Sequence, residues 1–137
     1  MPTASTMSPS PLGSDLLCQA LADLQAQVDA VTVTPAIVRY LRDLIVAVRY
    51  HHATYRGGGL RSSEDLAAAA KALAWSAGTA YVTPTHVVQV VECVLGHRVA
   101  VLPPDDPFIT DEERRIAQGT TAAHIIADAV RTIPPPV

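Results

Sequence analysis

The chain has 137 residues, enough for one domain and too few for a two-domain enzyme, and its 10 Lys+Arg against 13 Asp+Glu leave a net charge of −3. Hydrophobic residues make up 49% and charged ones 17%, which excludes disorder of the whole chain and supplies a core. An acidic balance without a dense cationic stripe gives no general attraction to nucleic acid or anionic lipid. No nucleic-acid or membrane partner is expected.

Residues 1–13, MPTASTMSPSPLG, mix Ser, Thr, Pro and Gly without periodicity and read as a flexible leader or linker stub. They carry no basic residue and no apolar run, so a secretory signal is not expected. From Ser14, Leu17, Leu21, Leu24, Val28 and Val31 recur at helical spacing and predict a first amphipathic helix. Thr34-Pro35 then offers an N-cap and a preset φ, and Ile37, Val38, Leu41, Leu44, Ile45 and Val48 predict a second helix with Arg39, Arg42, Asp43 and Arg49 on its other side. It ends before His51-His52 and the triplet Gly57-Gly58-Gly59, which frees the backbone for a turn.

A third helix is expected to begin near Leu60-Arg61-Ser62-Ser63-Glu64-Asp65, with hydroxyls to cap it and Leu66, Ala69, Ala70, Leu73 and Ala77 as its buried stripe. Gly78 falls where a left-handed C-terminal cap would sit. Thr83-Pro84 repeats the start signal ahead of Val87, Val88, Val91, Val94 and Leu95, where β-branched residues make a strand the competing reading. After the breaker Leu102–Pro107, Thr110 and Glu113 form a capping box for a fifth helix, and Thr120 or Thr121 opens a sixth that Pro134-Pro135-Pro136 stops. The expected fold is therefore all-α, a bundle of about five to six helices in all, with a helical bundle over residues 14–101 and a Pro-rich connection and C-terminal helices of the same bundle over 102–137. Uninterrupted apolar runs fall far short of the roughly 20 residues needed to span a bilayer. Cys18 and Cys93 lack any paired spacing and read as two buried thiols rather than a bridge or nucleophile, which points to an intracellular, cytoplasmic setting.

Catalytic motifs are missing where their chemistry would need them. The sole lysine, Lys71, lies in an alanine-rich helix with no glycine loop beside it, so there is no Walker A motif. Phe108-Ile109-Thr110-Asp111-Glu112 is superficially like a Walker B strand end but is better read as a helix cap. His51-His52 would need a third converging ligand to hold a metal, and Ser62-Ser63 has no nucleophile elbow or spaced histidine. What remains is Arg61, a guanidinium fork directly before a helix whose positive dipole end favours an anion.

Arg61 followed by Ser62-Ser63-Glu64-Asp65-Leu66 and Ala67 through Ala74 resembles the helix after the sensor-2 arginine in the lid of MoxR-type and magnesium-chelatase-like AAA+ ATPases. Gly78 through Val87 resembles that family's G-x-x-[YF]-V-T-P-x-x-V stretch, and Val94-Leu95-Gly96-His97-Arg98-Val99 its V-L-x-H-R-[LIV] helix end. The likeness runs from residue 14 onward. It implies a helical lid that packs over nucleotide held by a P-loop core, with Arg61 near the γ-phosphate, ATP and its Mg bound by that separate core, and the core or neighbouring ATPase subunits as partners. Leu60 stands where the family often has proline, and Ala68 where it often has a further arginine. A stand-alone helical adaptor, using the Arg39/Arg42/Arg49 side of the second helix, is the alternative; a small nucleic-acid-binding helical domain is disfavoured by the acidic charge.

Overall fold

The computed structural model describes residues 11–137, with side chains from Gly13 onward. Six helices occur in these residues: α1 (Pro11–Asp29), α2 (Pro35–Arg49), α3 (Ser62–Ser76), α4 (Pro84–Leu95), α5 (Asp111–Ala117) and α6 (Ala122–Thr132), with two short strands, β1 (Thr54–Arg56) and β2 (Ala100–Val101). Most of the expected leader lies outside the described residues, and residues 11–13 form the first turn of α1 rather than a linker.

Capping chemistry explains why four helices begin where they do. The hydroxyls of Thr34, Thr83, Thr110 and Thr121 accept from the backbone N–H groups of Ile37, His86, Glu113 and His124, each satisfying a donor that the first helical turn leaves free. The Thr83–His86 and Thr110–Glu113 boxes are reciprocal, and the Val-rich stretch after Thr83 is a helix, not a strand. Helix α3 departs from expectation. Its N-cap is Arg61, in the right-handed helical region and without a side-chain cap, so Ser62 and Ser63 lie inside the helix and cap nothing. The cause is the turn before it: Ser62 N–H donates to Gly59 C=O and Asp65 N–H to Arg61 C=O, and no extended residue is left to swing a hydroxyl over the end.

Leu44, Leu66, Leu95 and Ile125, one from each of α2, α3, α4 and α6, are completely enclosed, and they centre the core. Helix α2 buries Ile37, Tyr40, Leu41, Leu44, Ile45 and Val48, while Val38 turns to solvent. On α3 the buried ridge is Ser62, Leu66, Ala70 and Ala74, spaced by four, instead of the expected Ala69, Leu73 and Ala77. Small residues along an i, i+4 ridge let α4 approach closely, and α4 supplies Val87, Val91 and Leu95 at the same spacing. Cys93, between Glu92 and Val94, is on the outward side of that ridge and exposed, as is Cys18 on α1, so neither is the buried thiol expected.

The first helix corrects the sequence reading most. Leu17, Leu21 and Leu24 are 61%, 56% and 42% exposed; of their stripe only its end reaches the core, Val28 half-buried and Val31, just beyond the helix, buried. Helix α1 is fastened to α3 near its C-terminus, where Lys71 Nζ donates to Asp29 C=O at 2.9 Å and Trp75 Nε1 to Gln27 Oε1 at 3.3 Å. Its preceding turns carry apolar side chains that the bundle does not cover.

Two backbone pairings join connections that periodicity alone cannot relate. Thr32 forms a parallel bridge with Tyr81, tying the α1–α2 link to the α3–α4 turn, and β1 pairs antiparallel with β2. Gly78, at φ +73, closes α3 as anticipated, with Thr79 N–H reaching Ala74 C=O. Among the described residues no helix is long and apolar enough to cross a membrane.

Candidate functional site

The connection between α2 and α3 carries Arg61, and its path is held at several points. Thr54 Oγ1 donates to Val48 C=O at 2.8 Å, folding the start of β1 back onto the last turn of α2. Pairing with β2 then fixes Thr54 opposite Val101 and Arg56 opposite Ala100. Gly57 rests directly on α2: a Cβ there would come 2.7 Å from Arg49 Cα, closer than real Cβ contacts allow. Arg49 reaches over to Gly58 C=O at 3.5 Å. Gly58, at φ +25, passes over Ser62, whose Oγ a Cβ would meet at 2.7 Å. Glycine is required at 57 by contact and at 58 by both contact and φ, whereas a methyl group at Gly59 would have nothing within 4 Å.

The loop therefore delivers Arg61 to the N-terminus of α3 on a defined backbone. Its side chain is exposed and meets no carboxylate among the described residues. Behind it, Arg98 Nη1 bonds Asp65 Oδ2 in the first turn of α3, and Arg98 Nε donates to His97 Nε2. That pair anchors the N-terminal end of α3 to the residues just after α4, so Arg98 closes the bundle while His97 stays at the surface. Ser62 Oγ is buried with no hydrogen-bond partner among the described residues, and Gly58 passes close over it.

Surface clefts lie elsewhere. One of about 290 Å³ runs between α2 and the C-terminal segment, lined by Ala36, Arg39, Tyr40, Asp43, Ile133, Pro134 and Pro136. Burial pushes the Tyr40 phenol above its ordinary value, consistent with a core position rather than a reactive one. Neither this cleft nor the three smaller ones beside it on the described residues is lined by Arg61.

Among the described residues no group of three or more candidate metal ligands converges, at the histidine pair or elsewhere. His51 instead braces the loop. Its Nδ1 accepts from Ala53 N–H at 3.2 Å, which makes Nε2 the protonated nitrogen, and Nε2 donates to Asp128 of α6 at 3.4 Å; His52 stacks on its ring. Lys71 caps α1, and the Phe108–Glu112 stretch is the entry to α5.

The comparisons with known proteins fall on this same region. The sequence profile of the AAA lid domain family matches residues 43–118, and the chain belongs to that family. The solved structure of a protein assigned as an ATPase from Cytophaga hutchinsonii superposes with a TM-score of 0.67 at 21% identity, over 82% of this chain and 34% of that one. The likeness is one of fold, and this chain spans about a third of that protein's length. No curated protein matches.

Sequence reading singled out Arg61 and passed over its setting. No carboxylate occurs between Asp43 and Glu64, while Arg49, Arg56 and Arg61 all do, in a chain whose net charge is −3. That gap was visible in the sequence; that Gly57, next to Arg56, rests on the backbone of Arg49 was not.

Proposed function

We propose that the chain acts as the sensor-2 lid of a MoxR or magnesium-chelatase-like AAA+ ATPase, with ATP and its Mg held by a P-loop core outside this segment. The observation that carries the reading is Arg61: an exposed guanidinium, paired with no carboxylate among the described residues, at the N-terminus of α3 on a braced loop inside the family-matched residues. A helix N-terminus and an arginine fork both favour a phosphoryl group, and an arginine that meets transferring phosphate only in the closed state stabilises developing charge. The chain's own part is to present and withdraw that arginine as the bundle moves against the core. Its partners are then the core and neighbouring subunits, in a cytoplasmic setting, with no nucleic acid or membrane involved. In an assembly of this chain with its P-loop core, Arg61→Ala should lower turnover by about 10³-fold or more. Unchanged ATP affinity and turnover would refute the sensor role.

The stand-alone adaptor is the second reading, and the uncovered Leu17, Leu21 and Leu24 favour it together with Leu60 and Ala68 at positions where the family often has proline and arginine. A stable complex indifferent to nucleotide would support it over the lid.

A further inference from the structure

The connection that holds Arg61 has the composition of a contact surface. Besides Arg56 and Arg61, and Arg49 at the end of α2, none paired with a carboxylate among the described residues, it exposes Tyr50 (81%), Tyr55 and Leu60 (96%). Aromatic side chains and arginine are the residues enriched at protein interfaces, because they bury large areas with a polar handle. The backbone beneath them is already fixed by β1–β2 pairing, the Thr54 and Arg49 bonds and the His51–Asp128 brace, so little ordering cost remains on association.

A complementary surface begins next to it. Leu102 N–H donates to Ala53 C=O, and the chain then enters residues 105–113, which hold Asp105, Asp106, Asp111, Glu112 and Glu113 around Phe108, itself 94% exposed. Some of these carboxylates are used internally: Asp106 accepts from Phe108 N–H, Glu112 pairs with Arg115 and Glu113 caps Thr110. Asp105 and Asp111 are exposed and meet no cation among the described residues. Unpaired positive and unpaired negative side chains, each with apolar anchors, thus lie on two segments whose starts the Leu102–Ala53 bond brings together, without satisfying each other.

We infer that this face pairs with a second copy of the chain, about a two-fold axis that lays the Arg49/Arg56/Arg61 connection of each copy on the 105–113 segment of the other. Two-fold pairing suits adjacent patches of opposite sign, since each contact then occurs twice. Leu60, Tyr55 and Phe108 supply the apolar part, and the exposed charges set orientation and make the pairing sensitive to salt. The dimer covers Arg61, so self-association and docking on a P-loop core exclude each other. The inference stands independently of the nucleotide reading, because it is drawn from the charges and exposed anchors alone.

Sedimentation velocity on the whole chain across a concentration series tests it. Dimers are expected at low salt and monomers at high salt. Arg56→Glu, and separately Asp105→Lys with Asp111→Lys, should each weaken pairing by about tenfold or more, and an equimolar mixture of the two variants should recover it as a mixed dimer. Leu60→Ser, at a side chain the fold does not use, should weaken pairing while leaving the circular dichroism spectrum unchanged. A chain that stays monomeric at submillimolar concentration in low salt would overturn the proposal, as would a dimer indifferent to Arg56→Glu and Leu60→Ser. Dimers that the variant mixture fails to restore would place the interface elsewhere and overturn it too.

Discussion

Three consecutive glycines offer a steric test with its own control. At Gly57 an added methyl would sit 2.7 Å from Arg49 Cα and 3.2 Å from Arg49 N, both backbone atoms of the last α2 turn, so no side chain can swing aside. Restoring an ordinary separation of at least 3.4 Å means moving the loop off α2 by about 0.7 Å, an overpacking strain of about 1–3 kcal/mol. At Gly59 nothing lies within 4 Å and φ is not in the left-handed region, so Gly59→Ala should be neutral or stabilise by about 0.4–1 kcal/mol through the unfolded chain. For a chain of this size 1 kcal/mol corresponds to about 3–6 °C in Tm. Urea and thermal unfolding followed by the fluorescence of Trp75, the chain's single tryptophan, should therefore separate the two variants clearly. Equal stability of Gly57→Ala and Gly59→Ala would mean that the loop is not pressed on α2 and that Arg61 is not held as described.

Further outcomes follow from burial, exposure and capping. Leu66→Ala, at a side chain fully enclosed between α3 and its neighbours, should cost about 2–5 kcal/mol in urea unfolding. Leu21→Ser on α1 should leave the unfolding midpoint of the chain nearly unchanged, since that leucine faces solvent. Cys18 and Cys93 should both react with a thiol reagent in the native protein, at rates close to those in denaturant. Glu113 is held below its ordinary value by hydrogen bonds from Thr110 backbone N–H and hydroxyl, so its capping contribution is present above the ordinary glutamate value and lost as pH falls through the depressed one. Amide protection at Thr110 and Glu113, measured against the intrinsic exchange rate at each pH, should fall in that acid window for the native chain, and Glu113→Gln should flatten the dependence.

The local chemistry of helix ends was legible in the sequence. Thr34-Pro35, Thr83-Pro84, the Thr110–Glu113 box and Gly78 each act within a few residues, and each stands where its residues place it. Features set by distant partners were not legible. The exposure of Leu17, Leu21 and Leu24 depends on α1 meeting α3 only near its C-terminus, and a leucine stripe looks the same whether or not something covers it. The β1–β2 pair joins segments of two and three residues that carry no strand pattern of their own. The bond between His51 and Asp128 spans 77 positions. At the candidate site Arg61 could be named from its place before a helix, whereas the contact of Gly57 with Arg49, which fixes where that arginine starts, is a consequence of packing.

Amide hydrogen exchange of Ser62 through Asp65, with and without a nonhydrolysable ATP analogue and with and without the P-loop core, tests the lid account most directly. Protection of these amides that needs both nucleotide and core, and that Arg61→Ala removes, is the expected result. Protection by the core alone, unchanged by nucleotide, would contradict it.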